Sequence, residues 1–129
     1  MSPTVARPDY EAHARAIRLS LPEAVTELSR ILGLKLTAYL GSVKETRAVS
    51  EWGSGSREPS AGVQRRLRLA LQVADAIARV DGDEVARAWF QGLNPQLGDR
   101  SPARLLREGD LDEVGPEVVG AARAFLAGG

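Results

Sequence analysis

The chain has 129 residues, with 17 Lys and Arg against 17 Asp and Glu, and 43% of it is apolar. That length gives one domain, or two small ones packed together, and that apolar fraction supports a buried core and excludes a disordered chain. Cysteine is absent and His13 is the only histidine, which excludes disulfides, thiolate metal sites and histidine-based triads; no apolar run approaches the ~18 residues of a membrane span.

The opening MSPTVARPDYEAHAR lacks the apolar block of a signal peptide, so the expected location is the cytoplasm. Only six residues are aromatic, while Ala, Leu and Val abound, which favours helix over strand. The expected fold class is all-α.

Residues 1–8, with Pro3 and Pro8, carry no periodicity. Asp9 is placed to cap a first helix over 10–19, with Tyr10, Ala14 and Ile17 on its inward stripe. His13 falls off that stripe and is given no chemistry. Ser20-Leu21-Pro22-Glu23 has capping-box spacing and opens a helix to Leu32, with Val25, Leu28, Ile31 and Leu32 inward and Gly33 as its stop. Leu34 to Leu40 is a short helix that Gly41 breaks. Ser42-x-x-Glu45 repeats the start signal, and the next helix, 45–52, is anchored by Val49 and Trp52.

Residues 53–62 are a loop by composition. Val63 to Val80 is the longest helix and is apolar on two sides. Val63, Leu67, Ala70, Leu71, Ala74, Ile77 and Ala78 form one stripe; Leu69, Val73, Ala76 and Val80 form the other. It is either a spine between two halves or part of a dimer interface. Residues 83–92 are helical, with Val85, Ala86, Trp89 and Phe90 inward. Asn94-Pro95 marks a turn in a structured loop, and Ser101-Pro102 opens a short helix ending at Gly109. The acidic run 109–114 leads to Gly115-Pro116, and the last helix, 116–127, buries Val118, Val119, Ala122, Phe125 and Leu126.

Charge is unevenly placed. Residues 35–68 carry seven basic side chains against three acidic, whereas residues 82–129 carry five against eight. A basic segment followed by an acidic one fits two surfaces with different partners, although solvated helical surfaces also show such asymmetry. Helix, tight turn, helix over 35–52 is the shape of a helix-turn-helix, whose second helix enters a DNA major groove. Arg47 has the fork for a bidentate contact to guanine, Thr46 and Ser50 are short enough to let the helix sit deep, and Lys44 reaches a phosphate or a base edge. Lys35, Thr37, Arg57, Arg65 and Arg66 are candidate phosphate contacts. Glu45 and Glu51 oppose binding unless Glu45 only caps and Glu51 meets a cytosine or an arginine; one small module of this modest positive charge binds weakly, so a dimer on two half-sites is expected. An ordinary helical hairpin with a solvated charged face has the same pattern.

Enzymatic signals are missing. Gly53-Ser-Gly-Ser lacks the Gly-Lys-Ser/Thr ending of a phosphate loop, no serine sits beside a histidine base, and Asp110, Asp112 and Glu113 lie in no calcium-loop pattern. No catalytic residue, metal or cofactor is assigned.

Two stretches resemble the antitoxins of the Xre/MbcA/ParS family. LTAYLGSVKETRAVSEWGSGSREP, followed by RLRLALQVADAI, is similar to that family's helix-turn-helix domain. AWFQGLNPQLGDRSPARLLREGDLDEV, with GAARAFLAGG, is similar to its C-terminal toxin-binding domain. The resemblance implies an N-terminal segment with a short helix (1–21), an Xre-like helix-turn-helix domain (22–80) and a small helical toxin-binding domain (81–129), with the long helix as the join. It implies an antitoxin of a type II system that blocks a RES-type, NAD-consuming or ADP-ribosylating toxin and represses its own operon. Its partners would be that toxin and operator DNA, in homodimers and hetero-oligomers. By match, Lys44, Thr46, Arg47 and Ser50 would face DNA. Asn94, Pro95, Leu97, Gly98, Arg100, Ser101 and Pro102 would form the toxin-facing loop, with Arg123 and the tail Ala127, Gly128 and Gly129 near the toxin's mouth. Trp89, Leu105, Leu106 and Phe125 would hold that domain together. The competing reading is a free-standing dimeric repressor whose C-terminal half only dimerises.

Overall fold

The periodic stretches fold as helices throughout the computed structural model, which describes residues 8–128. Among the described residues eight α-helices follow one another: α1 (Pro8–Arg18), α2 (Leu21–Leu32), α3 (Leu34–Leu40), α4 (Thr46–Ser54), α5 (Ala61–Asp81), α6 (Asp83–Gln91), α7 (Pro102–Glu108) and α8 (Leu111–Leu126). A 3-10 turn, Pro95–Leu97, sits between α6 and α7. Among the described residues there is no strand, only an isolated bridge between Asn94 and Arg100. The fold is all-α. The aperiodic N-terminal residues 1–7, and Gly129 among the expected partner-facing residues, lie outside the described residues.

Local chemistry sets most boundaries. At α2 the capping box closes in both directions: Glu23 N–H donates to Ser20 Oγ at 3.2 Å and Ser20 N–H donates to Glu23 Oε1 at 3.0 Å. Gly33, at φ 88°, stops α2 and admits α3 without a loop. Ser60 caps α5 and Ser101 caps α7, each accepting from the N–H three residues on. Helix α4 runs through Gly53 to Ser54, past the expected stop at Trp52, and ends at Gly55, whose φ of 80° suits a residue without Cβ.

Long α5 is the spine: α1, α2, α3, α6, α7 and α8 all pack on it. One hydrophobic cluster runs through both halves, from Leu28, Ile31 and Trp52 through Leu71 and Ile77 to Phe90, Leu106 and Val118. Each such side chain contributes about 1.5–3 kcal/mol by leaving water. Of the two α5 stripes, Val73 and Ala76 are buried and Leu69 is half-buried, but Val80 is 52% exposed. The second stripe is therefore buried only as far as Ala76.

Two expectations are corrected by packing. Helix α1 begins at Pro8, so Asp9 falls inside its first turn rather than before it. The inward face of α1 is also different: Ala12 and Ala16 are buried, whereas Tyr10 and Ile17 are 59% and 67% exposed. Polar pairs with α5 choose that face. Arg15 reaches Asp75 at 3.2 Å, Arg79 reaches Glu11 at 2.7 Å, and Arg68 donates at 2.8 Å to the carbonyls of Ala16 and Leu19. Asp75 is 3% exposed and is balanced by Arg15 and Arg79, the arrangement a buried carboxylate requires.

The second correction is at α8. It starts at Leu111, five residues before the expected 116, because Asp110 caps it through Asp112 N–H at 3.1 Å. The acidic run is therefore its first turn, where carboxylates meet the positive end of the helix. Pro116 lies inside the helix, where its missing N–H removes one bond. Gly115 before it has no Cβ to clash with the proline ring. The same lack lets α8 approach α5, since a Cβ there would stand 2.8 Å from Leu69 Cδ1.

Candidate functional site

The α3–α4 connection is built tightly. Gly41 N–H donates to Thr37 O at 2.9 Å, and Val43 N–H donates to Ala38 O at 3.0 Å. Ser42 adopts φ 58°, and its hydroxyl accepts from Arg66 Nη1 at 3.0 Å. The same guanidinium nitrogen donates to Leu40 O at 2.9 Å. Arg66 thus braces the turn from α5. Ser42 does not cap the next helix: Glu45 takes the N-cap position of α4, with no side-chain bond to the first turn.

Of the expected DNA-facing residues, Lys35, Lys44, Arg47, Ser50 and Arg57 are exposed and Thr46 is half-buried. Val49 and Trp52 anchor α4 beneath them, at 1% and 2% exposure. Lys35, Lys44 and Thr46 share a groove of about 420 Å³ with Tyr39, Val43, Glu45 and Arg107. Arg57 sits after the other end of α4, 3.7 Å from Glu51, and Arg65 is paired with Asp112 at 2.7 Å. Thr37 is a correction: it is 0% exposed and its hydroxyl donates to Gly33 O at 2.8 Å. It faces the core because α3 buries Leu36, Thr37, Ala38 and Leu40 together. It holds the α2–α3 corner and reaches no phosphate.

In the C-terminal half the loop folds on itself. Asn94 O accepts from Leu97 N–H and Asp99 N–H, both at 2.9 Å, while Asn94 N–H donates to Arg100 O at 3.1 Å. Asn94 Oδ1 also caps the 3-10 turn through Gln96 N–H at 2.9 Å. Gly98 and Asp99 both take left-handed φ, 64° and 59°, which reverses the chain in two residues. Arg100 Nε donates to Leu97 O at 2.9 Å, which fixes its stem while the residue stays exposed.

Pro95, Gly98, Arg100, Arg123, Ala127 and Gly128 are exposed, and Asn94 and Ser101 are half-buried. Leu97, at 3% exposure, and Pro102 are buried. That corrects their assignment: they seat the loop on the core and cannot face a partner. Asn94 and Pro95 share a groove of about 340 Å³ with Trp89, Leu93, Ala124 and Phe125, so the loop and the end of α8 form one surface. Trp89 stacks edge-on against Phe90 at 5.4 Å and lies 6.5 Å from Phe125, fixing the groove floor. Leu105 and Leu106 are in the core.

Sequence reasoning missed two residues here. Leu93 is 76% exposed on the groove rim, and its signal was an apolar residue outside any helical stripe. Arg107 joins the α3–α4 groove from α7, and nothing in its local sequence announces that.

These features describe an all-helical protein with two separate grooved surfaces, a charged one at the α3–α4 turn and a more apolar one at the loop beside α8. No family model matches the chain. By sequence it is similar to the mycobacterial cidal antitoxin MbcA of Mycobacterium bovis and of Mycobacterium tuberculosis, with 35% identity over 68 residues in each. That match takes in 53% of this chain and spans 60% of the length of these curated relatives. In three dimensions it is similar to a chain of the crystal structure of the M. tuberculosis MbcT-MbcA toxin-antitoxin complex. The TM-score is 0.63 and the identity 27%, over 82% of this chain and 96% of that one.

Proposed function

We propose that this chain is the antitoxin of a type II toxin-antitoxin pair. It acts by stoichiometric binding to a cognate toxin, without making or breaking a bond. The observation that carries the reading is the fold likeness to a chain of the MbcT-MbcA complex, which continues well past the 68 residues matched by sequence to MbcA.

The surface proposed to meet the toxin is the loop from Asn94 to Ser101 with the end of α8. Asn94, Pro95, Gly98, Arg100, Ser101 and Arg123, with Ala127, Gly128 and Gly129, are the contacts. Leu97 and Pro102 act from beneath. The partner is a RES-type toxin that consumes NAD or transfers ADP-ribose, and the antitoxin covers its substrate pocket.

The second part of the proposal is autoregulation. Helices α3 and α4 serve as a helix-turn-helix, with Lys44, Thr46, Arg47 and Ser50 toward base edges and Lys35 and Arg57 toward phosphates. Two copies of the chain bind two half-sites in the promoter of their own operon. The division into residues 1–21, 22–80 and 81–129 follows these roles, with α5 joining the last two.

Charge reversal of Arg100 and Arg123 together is expected to abolish inhibition of the neighbouring gene's product while leaving DNA binding intact. Unchanged inhibition by that double variant would contradict the loop surface. A chain that protects promoter DNA yet ignores the neighbouring product would instead be a free-standing dimeric repressor.

A further inference from the structure

Arg107 has no part in the roles proposed above. It belongs to α7, in the segment assigned to the toxin, yet its side chain lies against Tyr39 of α3. Its Nη1 donates to Tyr39 O at 3.0 Å, and its guanidinium carbon sits 4.5 Å from the Tyr39 ring centroid. Stacking and that hydrogen bond hold the planar group in one orientation. A guanidinium has five N–H donors, and the carbonyl of Tyr39 takes one.

The surroundings are cationic and poorly neutralised. Lys35 and Lys44 line the same groove, and Arg66 stands behind it, bracing the turn. Among the described residues, neither Arg66 nor Arg107 has a carboxylate within ion-pair distance. Burial, and then the charge of Arg107, push the Arg66 guanidinium below its ordinary value. The one acid on the groove wall is Glu45. Nearby Arg104 is different, because Glu108 meets it at 2.6 Å. Like charges gathered without counter-charge destabilise a fold unless an anion joins them. The groove borders Thr46 at the start of α4, the helix proposed to enter the major groove.

We infer that Arg107 is a DNA-backbone contact, which with Lys35 and Lys44 forms a phosphate-accepting groove flanking α4. The inference rests on the DNA-binding reading of α3 and α4. It also gives α7 a role outside the toxin surface: the helix capped by Ser101, at the end of the toxin-facing loop, carries a phosphate ligand six residues on. Operator and toxin would then grip the two ends of one short helix.

The test is the salt dependence of DNA binding by the full chain, on a duplex from upstream of its own gene. Parent, Arg107→Gln, Arg107→Lys and Arg104→Gln are compared by fluorescence anisotropy between 50 and 200 mM salt, with thermal unfolding of each. Losing one phosphate contact makes the slope of log K against log salt shallower by about 0.9, which is roughly a threefold smaller loss of affinity across that range. Arg107→Gln is expected to show that change, Arg107→Lys to keep most of the parent slope, and Arg104→Gln to match the parent. A loss of folding alone would lower the active fraction of Arg107→Gln but leave its slope at the parent value. A parent that binds the duplex, with Arg107→Gln of equal slope, overturns this inference and leaves the DNA reading standing. A parent that does not bind the duplex at all overturns both.

Discussion

Gly41 and Trp52 are in direct contact across the α3–α4 turn: a Cβ added to Gly41 would lie 2.6 Å from Trp52 Cζ3 and 2.7 Å from Cη2. No flexible side-chain end is involved, because the indole is 2% exposed and packed on all sides. The angle between α3 and α4 therefore depends on glycine at that position. Gly41→Ala forces the indole or α4 to move, and is expected to destabilise the chain by about 1–3 kcal/mol. Urea unfolding followed by Trp fluorescence reads the loss; an unchanged midpoint would show that the ring can shift freely.

Thr37 separates a structural role from a nucleic-acid role. Thr37→Val removes the hydroxyl that donates to Gly33 O and leaves that half-buried carbonyl with one donor fewer. The expected cost is about 1 kcal/mol of stability. DNA affinity at a temperature where both proteins are folded should not change. A weaker complex with equal stability would return Thr37 to the DNA surface.

Much of this was legible in the residues. Ser20 and Glu23 announce their helix because a capping box is local chemistry, and Val49 and Trp52 announce their core role because they lie three apart. The misreadings came from contacts distant in sequence. Tyr10 and Ile17 are larger and more apolar than Ala12 and Ala16, yet α1 turns its alanines to α5 because Arg15 and Glu11 have partners on Asp75 and Arg79. Pro116 looked like a helix start because nothing local says that Asp110 caps earlier. Thr37 looked polar and available; its burial follows from how α3 meets α2. Arg107 belongs to the same class, since α7 approaches Tyr39 across 68 residues of sequence.

Acid should expose the α1–α2–α5 charge network. The Arg30 side chain, hydrogen-bonded to Glu27, holds that carboxyl below its ordinary value of 4.5; partial burial opposes this and the charge of Arg15 adds to it. A carboxyl depressed in the folded state contributes stability that is fully present above its unfolded value. That stability is lost as pH falls through the folded value. Unfolding midpoints measured from pH 7 to pH 3 should hold steady to about 4.5 and then fall. Glu27→Gln should start lower and fall less in that window. Parallel curves for the two proteins would place the acid sensitivity elsewhere.

Two glycines give opposite signs. A Cβ on Gly109 would stand 2.5 Å from Val114 Cγ1 and 2.8 Å from Leu105 O, a backbone atom that cannot rotate away. Gly109→Ala should therefore open the α7–α8 corner and cost about 1–3 kcal/mol. Gly120 is exposed within α8, with nothing within 4 Å of its added Cβ. Gly120→Ala should stabilise by about 0.5–1 kcal/mol. Denaturant midpoints of the two variants, measured side by side, decide the matter, and a shared sign would refute this account of the corner.

The antitoxin reading stands or falls on one measurement: co-expression of this chain with the product of its neighbouring gene, followed by size exclusion and an assay of NAD consumption. The account predicts a stoichiometric complex in which NAD loss stops, and its return when Arg100 and Arg123 are both reversed to Glu. Separate elution, with NAD loss unaffected by an excess of this chain, would contradict it.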